Sequence, residues 1–243
     1  MGRAHEVRKE AMARTSLLKS KLYSKFGKEI YMAAKSGSPD PDTNQTLKKI
    51  IEKAKASQVP ADVIKRNIEK AKGLGGADYV PVRYEGFGPG NSMIIVECMT
   101  DNVNRTFGEI RSCFTKTGGK IGVAGSVTHQ FSYVSLVSFE GLSEDEALEA
   151  LMEAECDVSE IESDEDIVTV IGKSGDLDRI KEALQAVKED IVFIEEKVTY
   201  LPNDYIKIDD DDIRKFNNFL AMTDELDDVQ EVFSNIDFPP IEE

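Results

Sequence analysis

The sequence predicts a mixed α+β protein with three domains: an N-terminal three-helix domain, a discontinuous central α/β domain and a ferredoxin-like (split βαβ) domain. Apolar residues before residue 73 recur at three- and four-residue spacing, which is typical of amphipathic helices. The pattern then becomes strand-like, and later elements follow the order β-α-β-β-α-β of a split βαβ fold. The predicted boundaries are 1–75 for the helical domain, 76–131 plus 201–243 for the central domain and 132–200 for the ferredoxin-like domain.

The length and composition of the chain are sufficient for several hydrophobic cores. It has 243 residues, 40% of them hydrophobic, and no apolar run approaches the roughly 20 residues of a membrane helix. The polar N-terminus lacks the apolar segment of a secretion signal. Cys98, Cys113 and Cys156 lack C-x-x-C spacing, so we expect reduced thiols in a cytoplasmic protein. His5 and His129 have no Cys or His at zinc-ligand spacing, and we expect neither a metal nor a cofactor.

Charge is distributed very unevenly along the chain. The net charge is −16, but residues 1–73 hold 17 Lys and Arg against 8 Asp and Glu, a net of +9. Residues 74–243 hold 13 against 38, a net of −25. A basic segment on an acidic chain indicates a polyanion-binding module. The acidic remainder would repel that polyanion and orient the encounter.

The basic segment predicts three helices joined by short links. In the first helix Leu22, Phe26 and Ile30 form one apolar stripe, and the segment Gly37 to Pro41 ends it. The second helix lies within TNQTLKKIIEKAKAS, and the third begins at Pro60 and closes on Gly73. Three short amphipathic helices predict a small helical domain.

Lysines recur every seven residues on these helices, which predicts a cationic face on each. A solvated helix face is the simpler interpretation of any one helix, whereas three in succession favour phosphate contacts that weaken steeply with salt. Nothing in the segment is typical of base-specific recognition. The predicted nucleic-acid-binding residues are Arg3, Arg8, Lys9 and Arg14 in an upstream arm, and Lys21, Lys25, Lys28, Lys35, Lys48, Lys49, Lys55, Lys65, Arg66 and Lys72 in the helices.

The stretch RYEGFGPGNSMIIVECMTDNVNRT, residues 83–106, has some features of an active site. Its glycines precede the predicted strand and no Lys-Ser or Lys-Thr follows them, unlike a phosphate-binding loop. It also contains no histidine that would activate a nucleophile, so we expect no enzyme here. Arg105 suits either a surface anion contact or a salt bridge. We expect Asp101, Asn102 or Asn104 to cap a helix whose inner stripe is Phe107, Ile110 and Phe114.

The later part of the chain is acidic. The helices of the predicted ferredoxin-like domain carry many carboxylates, so this domain is expected to dock a partner or act as a spacer and to bind polyanions poorly. The run Asp209 to Asp212 precedes a predicted helix. Carboxylates there favour a helix cap stabilised by the helix dipole over a metal site.

Taken together, these motifs resemble the YebC family. The stretch of residues 83–106, followed by GGKIGVAGSVTHQF, is similar to the family's signature region, and similarity continues through DPDTNQTLKKIIEKAKASQVPADVIKRNIEKAKG, SEDEALEALMEAECDV and DELDDVQEVFSNIDF. KFGKEIYMAAKSGSPDP resembles the YeeN-like subgroup. Family members usually begin with a Gly-x-x-Lys-Trp-Ala-Asn-like arm, whereas this chain begins MGRAHEVRKEAMARTS without Trp.

The resemblance implies three domains and a cytoplasmic, non-enzymatic regulator of gene expression. The family includes the mitochondrial translational activator of cytochrome c oxidase. Members are commonly named DNA-binding transcriptional regulators, while others help the ribosome through proline-rich stretches. We expect ribosomal or transfer RNA on the ribosome as the partner, with DNA as the alternative and a protein–protein adaptor as a third. A monomer is expected, with no membrane and no small-molecule substrate.

Overall fold

The computed structural model describes residues 19–73 and 79–237, with side chains from residue 22 onward. These residues divide into two compact units. One contains residues 19–73, 79–127 and 208–234, and the other residues 128–207 and 235–237. The boundaries of the three predicted domains stay a prediction.

The described residues form helices and antiparallel strands in the predicted α+β combination, which confirms the fold class. In chain order the elements are α1 (Lys19–Ser36), α2 (Gln45–Ala56), α3 (Ala61–Lys72), β1 (Val80–Phe87), β2 (Met93–Thr100), α4 (Val103–Lys116), β3 (Lys120–Ile121), β4 (Phe131–Glu140), α5 (Glu144–Glu153), β5 (Val158–Asp164), β6 (Ile167–Lys173), α6 (Leu177–Val187), β7 (Val192–Pro202), α7 (Asp210–Asp224) and β8 (Val229–Ser234). Short 3-10 turns lie at Pro89–Asn91 and Thr128–Gln130.

Helices α1, α2 and α3 enclose a core that includes Ile30, Leu47 and Ile51. Asn44 fixes the turn between α1 and α2. Its side-chain oxygen accepts from Leu47 N at 3.0 Å as the α2 cap, and its Nδ2 donates to the carbonyls of Ala33 (2.9 Å) and Ser38 (2.7 Å). One side chain therefore pairs terminal backbone groups of both helices.

A four-stranded antiparallel sheet, in the order β3-β1-β2-β8, forms the centre of the same unit. Helices α4 and α7 meet through Phe114 and Phe219, whose ring centroids lie 4.8 Å apart. The glycine cluster belongs to the β1–β2 connection. A Cβ on Gly88 would lie 2.5 Å from Ile94, and Gly90 has a φ of +64°. These glycines are therefore required by close packing and a left-handed turn.

The second unit has the split βαβ topology expected from its element order. Its sheet order is β5-β6-β4-β7 with all neighbours antiparallel. Helices α5 and α6 contribute Leu151, Ile180 and Leu184 to a core with Val137 and Phe139. The ferredoxin-like prediction is confirmed for this unit.

Glu85 is a buried carboxylate that holds the loop after β3. The residue is 2% exposed, and its carboxylate accepts from Gly125 N (2.8 Å) and Val127 N (2.9 Å). Glu85→Gln places an amide NH₂ against one of these donors, so we expect a loss of about 1–3 kcal/mol of unfolding free energy. Urea unfolding of Glu85→Gln measures this loss, with Glu149→Gln, a substitution at an exposed position, as the control. Equal stability of the two variants would contradict this role.

Candidate nucleic-acid interface

The exposed faces of α2 and α3 carry most of the predicted cationic residues that the structure describes. On α2, the buried residues Leu47, Ile51 and Ala54 face the helical core. Lys35 is exposed in the last turn of α1. The remaining exposed members of the predicted set are Lys48, Lys49 and Lys55 on α2 and Lys65, Arg66 and Lys72 on α3.

Some of these charges are already paired on their own helix. Arg66 contacts Asp62 at 3.0 Å and Lys72 contacts Glu69 at 2.7 Å. Lys48, Lys55 and Lys65 form no ion pair with any residue in the described ranges. These three ammonium groups are therefore the most available for an external phosphate, and we call them the lysine triad.

Two further exposed lysines, Lys53 on α2 and Lys70 on α3, were not among the predicted residues. Burial raises the pKa of Glu29, and the charge of the nearby Lys53 partly offsets that increase. Lys70 lies over the ring of Tyr31, with its Nζ 5.5 Å from the centroid. Neither belongs to the series of lysines spaced seven residues apart on which the prediction was based. Considering every Lys of a predicted helix, whatever its spacing, would have found both.

The arm residues Arg3, Arg8, Lys9 and Arg14 lie outside the described residues. Lys21 lies in α1, and its side chain is likewise outside the described part. Their assignment to an interface stays a prediction.

Lys28 requires a correction, because it lies in a polar socket and not on an exposed lysine face. Its side chain is 11% exposed. Nζ donates to Asp228 Oδ1 (2.9 Å) and to the carbonyls of Asp227 (2.6 Å) and Met99 (3.1 Å). All three ammonium protons are used. The seven-residue spacing of lysines on α1 indicates a lysine face. It does not show that the central sheet covers part of that face.

Asp228 is the centre of this socket. Its side chain is 7% exposed, and it also accepts from Thr100 (2.8 Å), Thr106 (2.8 Å) and Arg105 (2.5 Å). Burial raises the pKa of the Asp228 carboxyl, but these hydrogen bonds, with that from Lys28, outweigh burial and hold the pKa well below its ordinary value. Arg105 was expected to form either a surface anion contact or a salt bridge, and in the structure it forms a salt bridge with Asp228.

The polar residues of the segment 100–106 thus contribute to the assembly of the unit. Asn102 is the cap of α4 and accepts from Arg105 N at 3.1 Å. Thr100, Arg105 and Thr106 all contact Asp228, which joins α4, β2 and the turn before β8 to α1. We call Asp228 and its four side-chain partners the Asp228 clamp. Asp228 was missed because it lies within an acidic run, where no local pattern distinguishes it from its neighbours.

Lys25 also differs from the prediction. Its Nζ lies 3.3 Å from Glu231 Oε2, with both side chains about one-third exposed. Burial lowers the pKa of Lys25, but Glu231 and Glu29 outweigh it and the pKa is raised. Glu97 and Glu231 are directly opposite on β2 and β8. Lys25 is therefore committed to a carboxylate cluster, and we exclude it and Lys28 from the interface.

Replacing Glu97 with Gln is expected to stabilise the protein at neutral pH. Burial, and next the charge of Glu231, raise the pKa of Glu97. A carboxyl with a raised native pKa contributes stability that is fully present below its unfolded pKa and is lost as the pH rises through its native pKa. Removing like charges from opposite strand positions is worth a fraction of a kcal/mol. We expect Tm to rise by about 1–2 °C at pH 7.

The gain should disappear near pH 4, where the native carboxyl is protonated in the parent protein. Scanning calorimetry at both pH values tests this. A lower Tm for Glu97→Gln at pH 7, or the same gain at pH 4, would contradict it.

An open cleft of about 660 Å³ lies beside the Asp228 clamp. Its walls mix cations such as Lys28 and Lys70 with carboxylates such as Asp101 and Glu109. Among the described residues, no group of three or more His, Cys, Asp or Glu is arranged to hold a metal ion. Asp209 caps α7 through Asp212 N at 2.9 Å. None of the helices in residues 19–73 and 79–237 is long and apolar enough to cross a membrane.

Comparison with known proteins identifies the family. Residues 3–74 match the family model of the TACO1/YebC protein N-terminal domain, and residues 79–236 match that of the TACO1/YebC second and third domain. A protein of Marinobacter nauticus named "Probable transcriptional regulatory protein" is 50% identical over 239 residues, covering 98% of this chain and 99% of that protein. A protein of Alcanivorax borkumensis with the same name is 48% identical, covering 98% and 99%.

A solved structure has the same fold. The crystal structure of a conserved hypothetical protein from Aquifex aeolicus matches with a TM-score of 0.75 and 32% identity, covering 93% of each chain. The chain therefore belongs to the TACO1/YebC family, and the resemblance inferred from its motifs is confirmed.

Proposed function

We propose that this member of the TACO1/YebC family is a non-enzymatic cytoplasmic regulator of gene expression that binds nucleic acid through α2 and α3. The observation that carries the proposal is the lysine triad, Lys48, Lys55 and Lys65, exposed on adjacent helices and unpaired within the described residues. Lysines on a helical surface contact phosphates without reading bases. Phosphate contact releases counterions, so affinity falls steeply with salt.

RNA on the ribosome is the preferred target. In the described part of the basic segment, residues 19–73, no helix carries Asn, Gln or Arg in the arrangement by which a helix-turn-helix protein contacts base edges in the major groove. The unit containing Thr128–Lys207 holds 6 Lys and Arg against 21 Asp and Glu within that range, a net of −15. The negative charge of RNA would repel this acidic unit, so the basic helices would be the surface that contacts the RNA. Family resemblance supports ribosomal or transfer RNA as the target, with relief of stalling at proline-rich stretches as the outcome.

The alternative is a DNA-binding transcriptional regulator. It is favoured by the names of the Marinobacter and Alcanivorax relatives, which are probable transcriptional regulatory proteins. Lysine contacts to phosphate suit duplex DNA as well as RNA.

Ribosome profiling of a deletion strain, beside RNA sequencing of the same cultures, separates the two. The proposal expects ribosome pauses at runs of proline codons with unchanged transcript levels. Altered transcript levels with normal elongation would overturn the ribosomal target and support the DNA alternative.

A further inference from the structure

Helix α4 contains an interior glycine that nothing in the described fold accounts for. Gly108 lies in the middle of a regular helix, is exposed, and has open space where a Cβ would lie. Glycine inside an exposed helix lowers its stability relative to alanine. Gly86 and Gly88 are required by close internal packing, whereas, apart from its chain neighbours and the α4 backbone, none of the described residues has an atom within 4 Å of a Cβ built on Gly108. A close approach from outside the chain would explain a residue without a side chain here.

The preceding residue, Phe107, is an exposed aromatic. Sequence periodicity predicted that it would face inward with Ile110 and Phe114, and this was wrong: Phe107 is 42% exposed, whereas the other two are fully buried. The buried arc of α4 is centred on Thr106 and Ile110, and Phe107 lies at its edge.

The ring of Phe107 is nevertheless held in place. Tyr84 packs against it with centroids 6.0 Å apart. Tyr84 is itself 8% exposed, and its hydroxyl donates to Val103 O at 3.3 Å. An aromatic ring supported by a buried neighbour and still accessible is a ready-made stacking surface.

The charge around Phe107 and Gly108 favours an anionic ligand. Exposed residues on this side of α4 include Val103, Asn104, Arg111 and Thr115, none of them acidic. This is unusual in a chain of net charge −16. The acid of this helix, Glu109, lines the cleft beside the Asp228 clamp.

We propose that Phe107, Gly108 and Arg111 form a site for an unpaired nucleobase. The base stacks on the Phe107 ring, the sugar–phosphate backbone approaches closely at Gly108, and the Arg111 guanidinium contacts phosphate. Single-stranded nucleic acid is bound by this combination of aromatic stacking and cationic contact. The proposal rests on the proposed function and adds a second binding surface to it, one that separates unpaired from paired strands.

The test uses the full-length chain and fluorescein-labelled 12-nucleotide probes: a single-stranded RNA, the same RNA as a duplex, and the matching single-stranded DNA. Binding is measured by fluorescence anisotropy. For Phe107→Leu, which keeps an apolar side chain but removes the ring, we expect about 5- to 100-fold weaker binding of single-stranded RNA. Duplex binding should change less than about twofold, because paired bases are not available for stacking. The DNA probe shows whether the site distinguishes the sugar.

Gly108→Ala gives an independent test in which stability and binding move in opposite directions. The substitution should raise Tm by about 2–4 °C, because the site is exposed and helical. It should also weaken binding of single-stranded RNA by about threefold or more, since the added methyl obstructs close approach. Tyr133→Leu, which removes an exposed aromatic of the other unit, should leave the binding of single-stranded RNA unchanged.

The outcomes separate this inference from the proposed function. If Phe107→Leu and Gly108→Ala bind single-stranded RNA with unchanged affinity, the nucleobase site is overturned. The same result is expected if this face of α4 binds a protein and not a nucleobase. Loss of single-stranded and duplex binding together on reversal of the lysine triad supports the proposed function alone. No binding of any probe by the parent chain would overturn both.

Discussion

Replacing Asp228 with Ala is expected to cost about 3–5 kcal/mol of unfolding free energy, because it leaves the buried Lys28 ammonium without its charged partner. The Asp228 side chain is 7% exposed and the Lys28 side chain 11%. Lys28 would keep its two carbonyl acceptors, but Thr100, Thr106 and Arg105 would all lose the same acceptor. Equilibrium urea unfolding at pH 7 measures the loss.

Asp227→Ala is the matched control. Asp227 is the adjacent residue, its side chain is exposed, and its contribution to the Lys28 socket is a backbone carbonyl that the substitution retains. It should cost less than about 0.5 kcal/mol. A cost for Asp228→Ala no larger than for this control would contradict the Asp228 clamp.

Lowering the pH should reduce the difference in unfolding free energy between Asp228→Ala and the parent protein. The native pKa of Asp228 lies well below its ordinary value. A group with a lowered native pKa contributes its full stability above the unfolded value of about 3.9 and loses it as pH falls through the native pKa. The difference in unfolding free energy should therefore be constant from about pH 5 upward and shrink below about pH 4.

Reversing the lysine triad to Glu is expected to weaken binding to a structured RNA on the order of 100-fold at about 0.15 M salt, since three attractive phosphate interactions become repulsive. The slope of log K against log salt should become shallower by about one for each phosphate that is no longer neutralised. Because Lys48, Lys55 and Lys65 are exposed and unpaired within the described residues, the fold should be unaffected. Circular dichroism and anisotropy titrations across a salt series measure both.

A control with the same change in net charge is available elsewhere. Lys116, Lys120 and Lys207 are also exposed, and their joint reversal to Glu should reduce affinity less than about fivefold through long-range repulsion alone. If both triple variants lose affinity equally, net charge and not the lysine triad governs binding. Lys21, Lys25 and Lys28 would be a poor choice for this experiment, because reversal of Lys28 disrupts the Asp228 clamp.

Local signals predicted the fold well. Gly37 and the prolines after it end α1 at Ser36, and the third helix runs from the Pro60 cap to Gly73. Asn102 caps α4 as one of three expected candidates. These features depend on residues a few positions apart, so the sequence reveals them. The split βαβ order was predictable because its strands and helices alternate in a recognised sequence.

Interactions between distant segments were not predictable from periodicity. Lys28 and Asp228 are 200 positions apart, and each lies among residues of like charge. The pattern on α1 shows a lysine face, but only the fold shows that the central sheet covers part of it. The prediction for Phe107 was wrong for a similar reason. Helical spacing identifies the apolar stripe of α4, but the width of the sheet that covers α4 decides which residues at the edge of that stripe are buried.

Co-sedimentation with purified ribosomes across a salt series tests the central claim most directly. We expect the full-length chain to pellet with ribosomes at low salt and to be released steeply as salt rises, while the lysine-triad variant stays in the supernatant throughout. Pelleting of that variant to the same extent as the parent chain, with little salt dependence, would contradict nucleic-acid binding by α2 and α3. It would favour a protein–protein adaptor that acts through its acidic surface.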